Sequence, residues 1–146
     1  MNVDRNVVVF CPKKYKIDKS LVYSIVKYLK NELIFDISDL EVNFISSDEI
    51  IQINKKYLNH NFSTDIITFN YSEKEKNLDA ELYISVDDAH FNSKKFGVTF
   101  EQEIIRLVIH GILHLIGYDD KAEKKKRVMK QEEDNLVLNF MNKTTS

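Results

Sequence analysis

Apolar and polar residues alternate along the chain with two different periods. Four short segments have the β-branched or alternating apolar residues that are typical of strands. These segments are residues 7–10, 40–44, 65–70 and 80–86. Pro12 ends the first of them, and the charged residues between the last two predict a solvated turn at 72–77.

Five other segments space their apolar residues as a helix does. Asp18 is a candidate N-cap before the first, and capping-box sequences at 46–49 and 99–102 precede the second and the fourth. The predicted helices cover residues 21–35, the segment from the first capping box through Tyr57, residues 85–97, residues 99 to about 116, and about 121 to 141.

The order β-α-β-α-β-β-α-α-α predicts an α+β fold, in which about five helices pack on a mixed four-stranded sheet. Because the 146 residues contain no repeat, linker or composition break, we expect residues 1–146 to form a single domain. The apolar run near the N-terminus is only about five residues long, too short for a signal peptide or a membrane span. A cytoplasmic protein without a membrane partner is therefore expected.

The composition excludes sites that need several cysteines, and it gives the chain a slight negative charge. Cys11 is the single cysteine, so the chain has neither an intramolecular disulfide framework nor a cysteine-rich zinc site. The net charge of −2 provides no overall positive field for nucleic acid. Basic residues nevertheless gather after residue 120, either as the solvated face of a helix or as a patch for RNA. They are Lys121, Lys124, Lys125, Lys126, Arg127 and Lys130.

The fourth predicted helix is apolar almost all round, which is typical of a core helix. Its four polar exceptions, Glu103, Arg106, His110 and His114, fall within about 80° of one another on a helical projection. They form one polar seam, in which Arg106 either contacts a phosphate or, as we expect, pairs with Glu103. Histidines at i and i+4 lie one above the other on a helix, close enough to bind one metal ion.

Gly117 follows the second histidine by three residues and favours the left-handed backbone that ends a helix. The chain can then turn back and present Asp119 or Asp120 to the histidines. Two imidazoles and a carboxylate are ordinary zinc ligands that leave a fourth position for water. We therefore predict one Zn²⁺ per chain, with a water held by the metal as the reacting group. No residue is assigned as a general base. The alternative is a pair of core histidines satisfied by Glu103 and Asp119.

The residues HGILHLIGYD at 110–119 resemble the HGxLHLxGYDH motif of the YbeY endoribonucleases, which are ribosomal RNA maturation factors. TDIITF at 64–69 resembles that family's TDVLSF-type strand, with Asn54 and Tyr57 before it at similar spacing. The resemblance implies a zinc-dependent, single-strand-specific endoribonuclease that acts in rRNA processing, including maturation of the small-subunit rRNA 3′ end, and in ribosome quality control. The implied partners are RNA and the ribosome, and DNA is not expected.

The resemblance also implies a ligand set of His110, His114 and Asp120, with Asp119 orienting an imidazole N–H. The chain departs from the family pattern at three places. Asp120 stands where the third histidine is usual, and Leu58 stands where an arginine usually follows the tyrosine. The strand motif usually written GDI is Ala-Glu-Leu at 80–82. A phosphate-contacting role therefore does not transfer to Leu58.

Two rival functions share part of this pattern. The spacing is similar to the metzincin motif HExxHxxGxxH, but Gly111 stands where those proteases have their glutamate base. That difference argues against a protease. The second rival is a non-catalytic ribosome- or RNA-associated module in which the metal is purely structural. His60 is either a surface loop residue or part of a cleft.

Overall fold

The four strands form one sheet whose spatial order is β1–β2–β4–β3. The computed structural model describes residues 5–60, 63–74 and 76–145. For residues 144 and 145 it describes the backbone alone. Strands β1 and β4 run parallel to β2, whereas β3 runs antiparallel to β4, which confirms the predicted mixed sheet. The strands are β1 (Val7–Phe10), β2 (Asp36–Ile45), β3 (Ile66–Asn70) and β4 (Asn77–Ser85).

Five α-helices accompany this sheet, which confirms the α+β class and the predicted order of elements. The N-cap predictions are confirmed: the Asp18 carboxylate accepts from the Ser20 backbone N–H, and complete capping boxes open α2 and α4. The helices are α1 (Lys19–Leu33), α2 (Ser47–Leu58), α3 (Val86–Phe96), α4 (Phe100–Leu115) and α5 (Glu123–Thr145).

Strand β4 begins three residues before the predicted start at residue 80. The cause is the length of β2, because Asp36 and Ile37 pair with Asn77 and Leu78 and extend the ladder toward the preceding turn. The predicted turn is correspondingly shorter. The pattern of residues 77–79 is too polar to indicate this pairing, which depends on the partner strand.

Helix α4 lies against the inner face of the sheet, and one glycine sets how closely it approaches. A Cβ atom added at Gly111 would lie 2.8 Å from Ile66 Cδ1 and 2.9 Å from Leu82 Cδ2. Both distances are shorter than a carbon–carbon contact allows. The histidine before this glycine is thus held on a helix that is seated directly on β3 and β4.

The outer face of β4 is more polar than the inner face. Glu81 accepts hydrogen bonds from the hydroxyls of Tyr71 and Tyr83, at 2.6 and 2.8 Å.

Among the described residues, no helix is long and apolar enough to cross a membrane.

Candidate metal centre

The polar seam of α4 is confirmed by the burial of its side chains. Glu103 is only 2% exposed, and Arg106, His110 and His114 are half-buried. All other residues of the helix from Ile104 to Leu115 are buried in the hydrophobic core. The two histidine rings lie 5.1 Å apart between centroids, inclined at 71°. The i and i+4 spacing therefore places both imidazoles at one side of an otherwise apolar helix.

The predicted turn at the end of α4 is also confirmed. Gly117 has a φ of 112°, in the region that side chains disfavour. Its N–H donates to the carbonyl of His114 at 3.2 Å, and the N–H of Tyr118 donates to the carbonyl of Leu113 at 3.0 Å. These two bonds form a Schellman motif. The motif reverses the chain so that residues 119–120 return toward the histidines.

His110, His114 and Asp120 each offer one ligand atom, and these atoms all lie within 4.8 Å of one another. His114 Nε2 is 3.7 Å from Asp120 Oδ2. Ligand atoms around one tetrahedral zinc ion are about 3.4 Å apart, because each lies about 2.1 Å from the metal. Two imidazoles and one carboxylate at this spacing fit a divalent metal after small side-chain rotations.

Asp119 lies away from both imidazoles. Its carboxylate accepts from the backbone N–H of Lys121 at 3.2 Å and lies 3.5 Å from the ammonium of Lys125. The expectation that Asp119 orients an imidazole N–H is therefore wrong. These local partners hold the carboxylate on the outer side of the loop.

The carboxylate within hydrogen-bond distance of an imidazole belongs to Glu133 on α5, which the sequence pattern did not predict. Glu133 is 4% exposed, and its Oε1 is 2.6 Å from Nδ1 of His110. Burial lowers the pKa of His110, but the hydrogen bond and charge of Glu133 outweigh it, so the pKa is raised. Burial likewise raises the pKa of Glu133, but His110 and Arg106 lower it by more. Each group therefore stabilises the charged form of the other.

Arg106 also points to α5 rather than mainly to its helical neighbour. Its Nη1 is 2.7 Å from Glu133 and 3.0 Å from Asp134, whereas its Nε is 4.0 Å from Glu103. The predicted pair with Glu103 is thus present only as a long contact. The shorter pairs form because α5 packs along the polar seam.

Glu103 belongs to a second polar group, at the other end of the seam. Asn92 on α3 donates to Asp65 at 3.1 Å and lies 3.5 Å from Glu103 Oε2. Glu103 Oε1 is buried without a hydrogen-bond partner. Desolvation by burial raises the pKa of both carboxyl groups, and nearby His110 partly offsets this at Asp65.

A cavity of about 310 Å³ opens beside His110 and Asp120, and α5 lines it with cations and with the acids Glu123 and Glu133. Lys130 is paired, 3.0 Å from Asp134 and 3.5 Å from Glu133. Lys126 and Arg127 line the same cavity and have no carboxylate partner in the described part of the chain. Two cations of the predicted basic cluster are therefore both unpaired and next to the candidate metal site.

His60 lies outside the metal cluster. It is exposed and lines a separate depression of about 270 Å³, together with Asn54, Leu58 and residues of β3. His60 is therefore a surface residue, as one interpretation predicts, and it also borders a shallow cleft, as the other predicts. Leu58 adds an apolar side chain to that depression.

The fold and the cluster define a class: an α+β protein in which two histidines and one carboxylate at a helix end could hold a metal ion. A family model described as Endoribonuclease YbeY matches residues 11–141. The endoribonuclease YbeY of Karelsulcia muelleri is 49% identical over 105 residues, 70% of this chain and 73% of that protein. That of Chlorobaculum tepidum is 35% identical over 129 residues, 88% and 93% of the two chains.

A solved structure agrees with this relationship. The solution structure of a Thermotoga maritima protein superposes with a TM-score of 0.69 at 27% identity, covering 96% of this chain and 91% of that one. The chain belongs to the YbeY endoribonuclease family. The family predicted from the motifs is confirmed, and with it the predicted enzyme class, a hydrolytic endoribonuclease.

Proposed function

We propose that this protein is a zinc-dependent endoribonuclease that cleaves single-stranded RNA, with ribosomal RNA as its substrate. The observation that carries the proposal is the convergence of His110, His114 and Asp120 beside a cavity lined by unpaired Lys126 and Arg127. A site for a cation and a pair of cationic side chains therefore share one opening. That combination suits the phosphodiester backbone, whose charge must be held while one linkage is cleaved.

The donor set supports zinc as the metal. Two imidazoles and a carboxylate suit zinc better than magnesium or calcium, which prefer sites made of oxygen atoms alone. When bound, such an ion acts as a Lewis acid on a phosphoryl oxygen. His110, His114 and Asp120 would hold it, while Lys126 and Arg127 would bind phosphates of the RNA backbone in the adjoining cavity.

The position of Gly111 supports a nuclease over a protease. An added Cβ would contact Ile66 and Leu82 on the sheet, so this position faces the core. A glutamate base of the metzincin kind has no room there. A phosphodiester places less demand on a general acid than a peptide does, because its leaving group is an oxygen rather than a poor amine.

The family supports the biological role. Within the proposal, the enzyme acts in the cytoplasm on small-subunit rRNA, where it matures the 3′ end and contributes to ribosome quality control. Ribosomes that carry an extended small-subunit 3′ end are the appropriate substrate. Selective shortening of that end is expected, whereas equal cleavage of any single-stranded RNA would contradict the rRNA-specific part.

The metal and the cleavage activity are tested together. Protein purified without a histidine tag should contain about one zinc per chain by elemental analysis. His114→Ala should abolish cleavage of a single-stranded RNA and leave the circular dichroism spectrum largely unchanged. His90→Ala, which removes an exposed histidine of α3 outside the cluster, is the matched control and should retain activity.

The outcomes separate the proposal from its rival. Cleavage that survives His114→Ala would show that the cluster is not the active site. A wild-type protein that binds zinc and RNA without cleaving, and unfolds on His114→Ala, would instead identify an RNA-associated module with a structural metal.

A further inference from the structure

We propose that Glu133 is a positioning residue that orients His110 for metal binding. The inference rests on the proposed metal site and adds a residue outside the three ligands. Glu133 lies on α5, 23 residues after His110, and no motif in the α4 segment includes it. Its role follows from three features of the structure: its contact with the ring, its own anchoring and its burial.

The contact selects one nitrogen of His110. Glu133 Oε1 lies 2.6 Å from Nδ1, which is the distance of a strong hydrogen bond to a charged acceptor. A carboxylate accepts and does not donate when ionised, so Nδ1 carries the proton. Nε2 is then the nitrogen whose lone pair is available to a metal. The contact thereby sets both the tautomer and the rotation of the ring.

Glu133 is itself held in place by its second oxygen. Arg106 Nη1 donates to Oε2 at 2.7 Å, and Lys130 Nζ lies 3.5 Å from the same oxygen. The side chain is 6% exposed, and its neighbours along α5, Met129 and Leu136, are buried in the core. A carboxylate fixed at both oxygens on a packed helix cannot follow the imidazole if the ring rotates. The imidazole therefore takes the orientation that Glu133 gives it.

A purely structural role would make Glu133 only a link between the two helices. Asp134 has that role without the imidazole contact, because it lies 3.0 Å from Arg106 and 3.0 Å from Lys130. Replacing either acid by its amide removes one negative charge from Arg106. Only the change at Glu133 also alters the partner of His110. Asp134→Asn is therefore the matched control for Glu133→Gln.

The experiment measures the zinc affinity of full-length wild-type protein, Glu133→Gln and Asp134→Asn by competition with a chromophoric chelator. Loss of a group that orients a metal ligand typically lowers affinity by about 10–100-fold, and this is the range expected for Glu133→Gln. Asp134→Asn should stay within about twofold of wild type, as expected of a group that makes no contact with a ligand. Urea unfolding of the metal-free forms shows whether the two variants lose similar stability.

Wild-type protein provides an independent readout. Long-range ¹H–¹⁵N spectra of its zinc-loaded form should show His110 protonated at Nδ1 and bound through Nε2. This measurement decides the question if Glu133→Gln fails to fold. Nδ1 bound to zinc would overturn the inference.

Failure of the inference differs from failure of the proposed function. If wild-type protein binds zinc and Glu133→Gln binds it as tightly as Asp134→Asn does, Glu133 does not position the ligand, but the metal site stands. If wild-type protein binds no zinc, both the proposed metal site and the positioning role are wrong.

Discussion

Two buried glutamates on neighbouring helices have pKa values that are shifted in opposite directions. Glu103 on α4 has one carboxylate oxygen without a hydrogen-bond partner, and burial raises its pKa. Glu133 on α5 is almost as buried, but His110 and Arg106 overcome the burial and lower its pKa. Burial is therefore a poor guide to the charge of a carboxyl group. The partners that face it decide whether the charged or the neutral form is favoured.

The two helices also differ in how clearly their sequences mark the important polar residues. Helix α4 places four polar side chains on one seam of an apolar rod, so each polar residue stands out. Helix α5 is mostly exposed, ten of its 23 residues are charged, and its buried residues form a narrow stripe. The sequence pattern alone therefore identifies the polar residues of α4 as candidate site residues. On α5, by contrast, Glu133 is one of three acids in succession. The following predictions test this contrast between the two helices.

The largest effect is expected from Gly111→Glu, which places a charged side chain between α4 and the sheet. The contacts with Ile66 and Leu82 leave no space for it, and a buried unpaired charge adds its own cost. The free energy of unfolding should fall by more than about 3 kcal/mol, or the protein should fail to fold.

Urea unfolding monitored by circular dichroism measures this loss. Gly111→Ala is the smaller change and should cost about 1–2 kcal/mol, because the ends of the two aliphatic side chains can shift. Wild-type stability of Gly111→Glu would contradict the close contact of α4 with β3 and β4.

The next effect concerns the loop after α4, where two adjacent aspartates face different partners. Asp120→Asn removes a carboxylate of the candidate metal site and should lower zinc affinity by about 100-fold. Asp119→Asn only removes the pair with Lys125 and should leave the affinity within about twofold. Chelator competition measures both. If the variant at residue 119 loses zinc instead, the ligand assignment moves to that residue.

The parts of this molecule that were predictable depend on residues close together in the chain. Asp18 and Thr99 cap their helices because each side chain reaches a backbone N–H two or three residues away. The i and i+4 histidines and the turn at Gly117 are equally local. For this reason the order of elements, the polar seam and the return of residues 119–120 were all predicted from the sequence.

The parts that were not predicted depend on how α5 packs against α4. The three acids at 132–134 are alike as residue types, and Glu133 differs only in sharing one helical stripe with Met129, Leu136 and Phe140. A glutamate in an apolar stripe is a usable signal, but its partner lies 23 residues away. The prediction that Asp119 orients an imidazole was wrong because of other contacts that the sequence does not reveal. Local contacts with Lys121 and Lys125 hold its carboxylate outward, and the motif does not indicate those contacts.

The unpaired cations of α5 should produce a moderate effect on RNA binding. Lys126→Gln combined with Arg127→Gln should weaken binding of single-stranded RNA by about tenfold at low salt, since each phosphate contact contributes counterion release. The slope of log K against log salt should fall by about 1.4 for two lost phosphate contacts on a single strand. Filter binding at several salt concentrations provides both values.

The matched control lies on the same helix. Lys124→Gln combined with Lys125→Gln removes the same charge from a different depression, where one of the two lysines is already paired with Asp119. Its effect should be clearly smaller, with zinc content unchanged in both double variants. Equal losses would mean that the basic cluster acts only as a diffuse positive field.

The smallest effect is expected from Glu103→Gln, and its size depends on pH. A carboxyl group whose pKa is raised in the folded protein contributes stability below its unfolded pKa and loses it as pH rises through the folded pKa. Glutamine stays neutral and avoids that loss. The variant should therefore match wild type near pH 4 and be more stable at pH 7, by about 1 kcal/mol.

Glu101→Gln on the exposed first turn of the same helix is the control, and it should change stability by less than about 0.5 kcal/mol. Glu133→Gln should have the opposite sign. A carboxyl group with a lowered pKa stabilises the fold above its unfolded pKa, so its amide loses stability at pH 7. Urea unfolding at both pH values compares all three variants. If the two buried glutamates responded alike, partner contacts would not be the cause of their difference, and burial alone would have to explain both.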